Sequence, residues 1–188
     1  MTSIRTFVAL ELPGVVRQTL ADVQSNLNFL DRKVRWVRPE GVHLTLKFLG
    51  DVSEEQAPAI VSAVQEAATN TQVLRLSTSG IGGFPNLDRA RVIWVGIQGD
   101  VGPLRDLQGR VDDLLEGAGF PAEKRRFFPH VTLGRARRNS VRVPEDRAGP
   151  VPSVHFQVDR VTVMKSELNP GGAVYSPLGY GLLGRSTP

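Results

Sequence analysis

The chain has 188 residues, 40% of them hydrophobic and 22% charged, with 19 glycines and a formal net charge of +4. That balance excludes a disordered or fibrous polymer and suits one folded domain, expected here to hold two internally repeated lobes over residues 1–188. The absence of cysteine excludes a disulfide framework and thiolate metal sites, and Met1 leads into a run too short and interrupted for a signal peptide or membrane span, so the expectation is a cytoplasmic protein without membrane association.

Ile4 to Leu12 reads as a strand closed by Pro13-Gly14. A helix follows, because Val16, Leu20, Val23, Leu27 and Leu30 recur at the three- and four-residue steps of one helical face. Val34 to Val37 is a short strand, Pro39-Glu40-Gly41 a turn, and Val42 to Leu49 a strand stopped by Gly50. Ser53 with Gln56 forms a capping box for a second helix with the stripe Ala57, Ile60, Val61, Val64 and Ala68, its start pushed later by Pro58. Val73 to Ser77 is the next strand, and the run Gly80-Ile81-Gly82-Gly83-Phe84-Pro85 reads as a turn, since it lacks the Lys-Ser/Thr ending of a phosphate-binding P-loop.

From Arg91 the pattern starts again. A strand to Ile97 precedes a helix from about Pro103 with the stripe Leu104, Leu107, Val111 and Leu114, ended by Gly117 and Gly119. Arg137 to Pro152 is polar and proline-bearing and reads as an exposed loop. Val154 to Lys165 reads as one long strand bulged near Arg160, where the apolar parity shifts. A turn at Pro170-Gly171-Gly172, a strand around Tyr175 and a fraying tail to Pro188 complete the chain.

The run His43-Leu44-Thr45-Leu46-Lys47-Phe48-Leu49-Gly50 is repeated in shorter form as His130-Val131-Thr132-Leu133-Gly134-Arg135. On a strand, alternation puts each His and Thr on one face and Leu44, Leu46, Phe48, Val131 and Leu133 on the other. Two strand residues span about 6.6 Å, so each imidazole and hydroxyl can reach neighbouring atoms of one small group. A single His-x-Thr is unremarkable in a half-buried strand. Two copies, each preceded by a basic, aromatic, proline-bearing segment (Arg35 to Pro39, Arg125 to Pro129), call for a functional explanation. The third histidine, His155, has Gln157 instead of Thr two residues on and is read as structural.

Charge points to the ligand. Positions 32–47 and 124–138 hold eleven of the 23 basic residues against one acid, Glu40, so positive charge gathers beside both motifs, as a phosphate-bearing ligand requires. Two histidines suit phosphoester chemistry, one neutral to take a proton and one protonated to give one. No His-Glu-x-x-His run, Gly-x-Ser-x-Gly elbow or dinucleotide fingerprint competes, and neither a metal nor a cofactor is expected.

Together these motifs resemble the two-histidine phosphoesterase superfamily, above all its LigT branch, the RNA 2′,3′-cyclic phosphodiesterases also called 2′-5′ RNA ligases. The resemblance runs through RTFVALELP, RWVRPEGVHLTLKFLG, GIGGFP, FFPHVTLGR and SELNPGGAVY, most specifically through the paired motifs. It implies an α+β fold of two pseudo-symmetric antiparallel lobes around a groove, with helices outside. It also implies His43 as proton donor and His130 as proton acceptor, with Thr45, Thr132 and Arg135 binding phosphate. Arg35, Arg38, Lys47, Phe84 and Arg126 are candidates for an RNA groove. The implied activity is hydrolysis of RNA 2′,3′-cyclic phosphate ends to 2′-phosphomonoesters by a monomer. Two alternatives stand beside it: ligation by the reverse reaction, disfavoured because water at ~55 M outcompetes a dilute hydroxyl end, and a non-catalytic RNA-binding module.

Overall fold

A computed structural model of the chain describes residues 3–169 and 172–184; the turn expected at Pro170-Gly171 and the tail running to Pro188 lie outside them. The strands are β1 (Ser3–Glu11), β2 (Val34–Trp36), β3 (His43–Ser53), β4 (Leu74–Phe84), β5 (Val92–Gly99), β6 (His130–Ala136), β7 (His155–Val158), β8 (Arg160–Asn169) and β9 (Gly172–Leu182). They form two antiparallel sheets, ordered β3-β1-β8-β9 and β2-β6-β5-β4-β7. Helices α1 (Gly14–Asn26), α2 (Ala57–Ala68), α3 (Val101–Gly117) and α4 (Glu145–Ala148) complete the fold.

The two histidine strands are reached by related routes. The chain leaves β1, passes through α1 and the short β2, which pairs with β6 in the other sheet, and returns antiparallel as β3, with Glu11 opposite His43. It later leaves β5, passes through α3 and returns antiparallel as β6, with Gly96 opposite His130. The helices are fixed by their apolar stripes. Val16, Leu20 and Val23 of α1 are buried, with Leu27 and Leu30 just beyond its end. On α3 the buried series is Leu104, Leu107, Val111 and Leu115. Leu115 takes the place expected for Leu114 because a further four-residue step keeps to the same face. The capping box at Ser53 and Gln56 is present, and Pro58 is accommodated in the first turn of α2, where its missing N–H would have no helical partner. Residues from both sheets and the three longer helices belong to one continuous buried cluster.

Four expectations are corrected. The strand expected over 154–165 is two strands in different sheets: β7 pairs with β4, Asp159 intervenes, and β8 pairs with β1 and β9. The parity shift near Arg160 thus marks a change of sheet. Gly50 does not end β3, which continues to Ser53; its φ of +73° falls where the register with β1 shifts, a conformation glycine adopts without a Cβ penalty. The glycine run after Ser79 is strand, because β4 continues to Phe84 with an irregularity between Thr78 and Ile81. Gly82 is required there for close approach, since a Cβ would stand 2.1 Å from the Trp94 indole. Finally, segment 137–152 is partly packed: Val141 bridges to Ala90, Val141, Val143 and Ala148 are buried, and Arg147 of α4 lies 3.8 Å over the Phe29 ring. No helix among the described residues is long and apolar enough to cross a membrane.

Candidate active site

Both motif histidines are the first residue of their strand, and both are held by their own chain. His43 Nδ1 lies 2.7 Å from the carbonyl oxygen of Gly41, and His130 Nδ1 lies 2.7 Å from that of Phe128, in each case two residues upstream. A carbonyl only accepts, so Nδ1 carries the proton and Nε2 is left to exchange one. The two imidazoles, Thr45, Thr132 and Arg135 line a single cavity of about 860 Å³ between the sheets.

Aromatic rings form the walls on both sides. His43 stacks on Phe7 at 4.6 Å and meets the edge of Tyr175 at 5.2 Å. His130 meets Phe84 edge-on at 5.0 Å, with Trp94 at 6.0 Å and Phe128 at 6.2 Å. These walls displace water, and burial is the main reason both imidazoles titrate below the usual histidine value. The carbonyl bonds to Gly41 and Phe128 oppose that shift, and the Arg135 guanidinium adds to it. Before a ligand enters, the groove therefore favours the neutral form of both imidazoles. Burial likewise pushes the Tyr175 phenol up, against the pull of Arg135 and Arg5. Arg135 thus acts on both histidines and on Tyr175.

Strand irregularities decide which neighbours join the histidines. In β6 the register with β5 slips, Trp94 facing Thr132 while Ile93 faces Gly134, so one residue is added on the β6 side. Strict alternation from His130 and Thr132 would turn Arg135 away; the bulge returns it to their face. In β3 two register shifts against β1 have the opposite effect on expectation. Phe48, expected in the core, is 59% exposed and opens onto the cavity beside Phe7, whereas Lys47 is 5% exposed.

The remaining candidates separate accordingly. Arg35, Phe84 and Arg126 line the cavity with the five motif residues. Lys47 also borders it, but its ammonium is committed to the Asp112 carboxylate and, at 2.7 Å, to the carbonyl of Pro121. Arg38 stands outside the lining, its guanidinium 3.7 Å from where a Cβ on Gly172 would sit. His155 is exposed on β7, opposite Ser77. Reasoning from the sequence missed Arg5, Phe7, Arg125, Phe128 and Tyr175, all of which line the cavity. Their signals were present: Arg5, Phe7 and Tyr175 lie in the supporting segments RTFVALELP and SELNPGGAVY, and Arg125 and Phe128 in the segment preceding the second motif. Among the described residues, no three His, Asp or Glu side chains gather as a metal-binding group.

Comparison with known proteins adds an independent finding. The profile of the family described as LigT like Phosphoesterase matches twice in succession, over residues 10–94 and 95–175, one histidine motif in each. A Methanothermobacter thermautotrophicus protein named RNA 2′,3′-cyclic phosphodiesterase is 33% identical over 180 residues, 93% of this chain and 96% of its own length. A Thermus thermophilus protein of the same name is 33% identical over 180 residues, covering 93% of this chain and 88% of that one. The crystal structure of E. coli LigT complexed with 3′-AMP superposes with a TM-score of 0.80 at 27% identity, over 98% of this chain and all of that one.

Proposed function

The chain belongs to the LigT-like phosphoesterase family, and on that premise we propose that it hydrolyses RNA 2′,3′-cyclic phosphate ends to 2′-phosphomonoesters by two-histidine acid–base catalysis. The observation that carries this reading is the twin arrangement of His43 and His130, each bound through Nδ1 to its own chain and each bordering the same cavity. The relatives' shared name, RNA 2′,3′-cyclic phosphodiesterase, supports the substrate.

In the proposed reaction His130, neutral, takes a proton through Nε2 from the attacking water as the new P–O bond forms. His43, protonated, gives its Nε2 proton to the departing 3′ oxygen as the P–O3′ bond breaks. The phosphate stays on the 2′ oxygen, and one proton passing from His130 to His43 through solvent restores the enzyme. Thr45 and Thr132 donate hydrogen bonds to the non-bridging oxygens, and Arg135 stabilises the charge that develops on them. The lowered pKa of His43 leaves it short of protons in the free enzyme. The anionic substrate corrects this on arrival, because a nearby negative charge favours the imidazolium.

No step is given to a metal. One chain supplies both histidine motifs to the cavity, so the proposed reaction needs no second copy. The test is to incubate the protein, in excess chelator, with a short RNA ending in a 2′,3′-cyclic phosphate and to identify the new end. A 2′-phosphate is expected. A 3′-phosphate, or turnover that needs a divalent ion, would overturn the mechanism.

A further inference from the structure

The loop between α3 and β6, residues 118–129, has no regular structure apart from its turns, yet it is held at defined points. Phe120 is buried, with its N–H donated to the Leu115 carbonyl at 2.9 Å, and Phe127 packs against the core. Between them, Asp112 of α3 accepts the Glu123 N–H at 3.1 Å, and Lys47 of β3 donates to the Pro121 carbonyl while pairing with that same Asp112. The Lys47–Asp112 pair therefore joins the strand of the first histidine to the loop that leads into the second. Burying an ammonium carries a desolvation cost that only close partners offset, so the pair is weak evidence for stability, and what it visibly does here is tie β3, α3 and the loop together.

What this loop presents to the cavity is Arg125, Arg126 and Phe128, the last 47% exposed. Glu123 also lines the cavity, and one oxygen of its carboxylate accepts the Arg125 N–H at 3.0 Å; the three cationic side chains at 124–126 outnumber it. A lone cyclic phosphate carries one charge, which the histidines, the threonines and Arg135 already address. Two further guanidinium groups beside an exposed ring, with Phe48 exposed at 59% and also lining the groove, match instead a single strand with successive phosphates and stackable bases.

We propose that residues 121–128 form an arm that grips the RNA strand upstream of its cyclic phosphate, and that Lys47 and Asp112 are positioning residues that hold this arm over the groove. The proposal rests on the RNA reading above and adds a discrimination between a polynucleotide end and a free cyclic mononucleotide. Lys47, a groove candidate by its sequence position, serves the ligand through the arm and not by contact.

The experiment compares kcat/KM on a cyclic mononucleotide and on a short RNA ending in a 2′,3′-cyclic phosphate. The parent should prefer the RNA. Arg125→Ser with Arg126→Ser, both exposed and harmless to the fold, and separately Lys47→Met, should each reduce turnover of the RNA at least ~10-fold more than that of the mononucleotide, through KM more than kcat. Lys47→Arg should restore most of the difference. Trypsin should cut Lys47→Met within 124–126 faster than the parent, a direct readout of a released arm. Equal losses on both substrates, or a parent without preference for RNA, would overturn the proposal. If the parent opens neither substrate, the hydrolytic reading has failed by itself. Fluorescence anisotropy with the same RNA then decides the arm: weakened binding in the double arginine variant supports it, and unchanged binding refutes it.

Discussion

His43 and His130 have one nitrogen each for chemistry, because the carbonyls of Gly41 and Phe128 hold the other. Replacing either by alanine should reduce turnover roughly 100-fold or more while changing substrate affinity far less, the usual scale for losing a general acid or base; His155→Ala should leave kcat within about twofold. Steady-state kinetics on the cyclic-phosphate RNA distinguishes these outcomes, and near-parent turnover in either motif variant would remove that histidine from the mechanism. The pH dependence follows from the direction of the shifts. Both imidazoles titrate below 6.5 in the free protein, so the bell of kcat/KM, which reports free enzyme, should have both limbs on the acid side of neutrality. On the proposed roles, the acidic limb belongs to His130 gaining the proton that disables it as a base, the basic limb to His43 losing the proton it must donate. In the complex the substrate anion raises both values, so the kcat profile should lie at higher pH than that of kcat/KM. Arg135→Gln removes a positive charge that disfavours both imidazolium ions and should move the kcat/KM profile upward while lowering its maximum about 10-fold or more; an unmoved profile would mean Arg135 does not face the pair. The histidines and threonines were legible in the sequence because two copies of one motif are conspicuous. Their lowered pKa values were not, since these come from Phe7, Phe84, Trp94, Phe128 and Tyr175 packed around them.

Alternation along a strand is a local rule, and the register shifts of β3 and β6 show where it stops. They turn Phe48 outward and return Arg135 to the histidine face, although simple parity says otherwise for both. The stripe of α3 was read to within one residue, and that of α1 named buried residues throughout although the helix ends at Asn26, before Leu27 and Leu30; on α2, Ala63 and Ala67 are buried where Ala57 and Val61 were expected. The glycine run in β4 was misread as a turn because glycine weakens a strand signal, and only contacts distant from the run, Trp94 against Gly82 and Ala90 against Gly83, explain why side chains are missing at those two positions. Gly82→Ala should therefore destabilise the protein by about 1–3 kcal/mol, the usual cost of overpacking a filled site. Displacing the indole should also disturb His130, which lies 6.0 Å from it, and reduce turnover. Denaturant melts and kinetics on the same preparation check both parts, and a variant as stable as the parent would show that Trp94 has room to move.

At the level of the molecule, the two histidine lobes are consecutive in sequence but are not independent in space. β8 and β9 follow the second motif, yet they extend the sheet that carries the first, and Tyr175 of β9 forms part of the His43 wall. The internal repeat was visible in the chain; this return was not, because one residue, Asp159, separates a strand of one sheet from a strand of the other, and two short strands in near succession read as one. With the main buried cluster spanning both sheets, unfolding in urea should follow one transition by fluorescence and by circular dichroism; separated transitions would mean that the lobes come apart singly. The late return has a further consequence for biosynthesis. On the ribosome, both histidines emerge before the strand that closes the wall behind the first of them. A nascent chain carrying both motifs therefore still lacks Tyr175 against His43, and RNA nearby meets an incomplete groove until translation has passed β9.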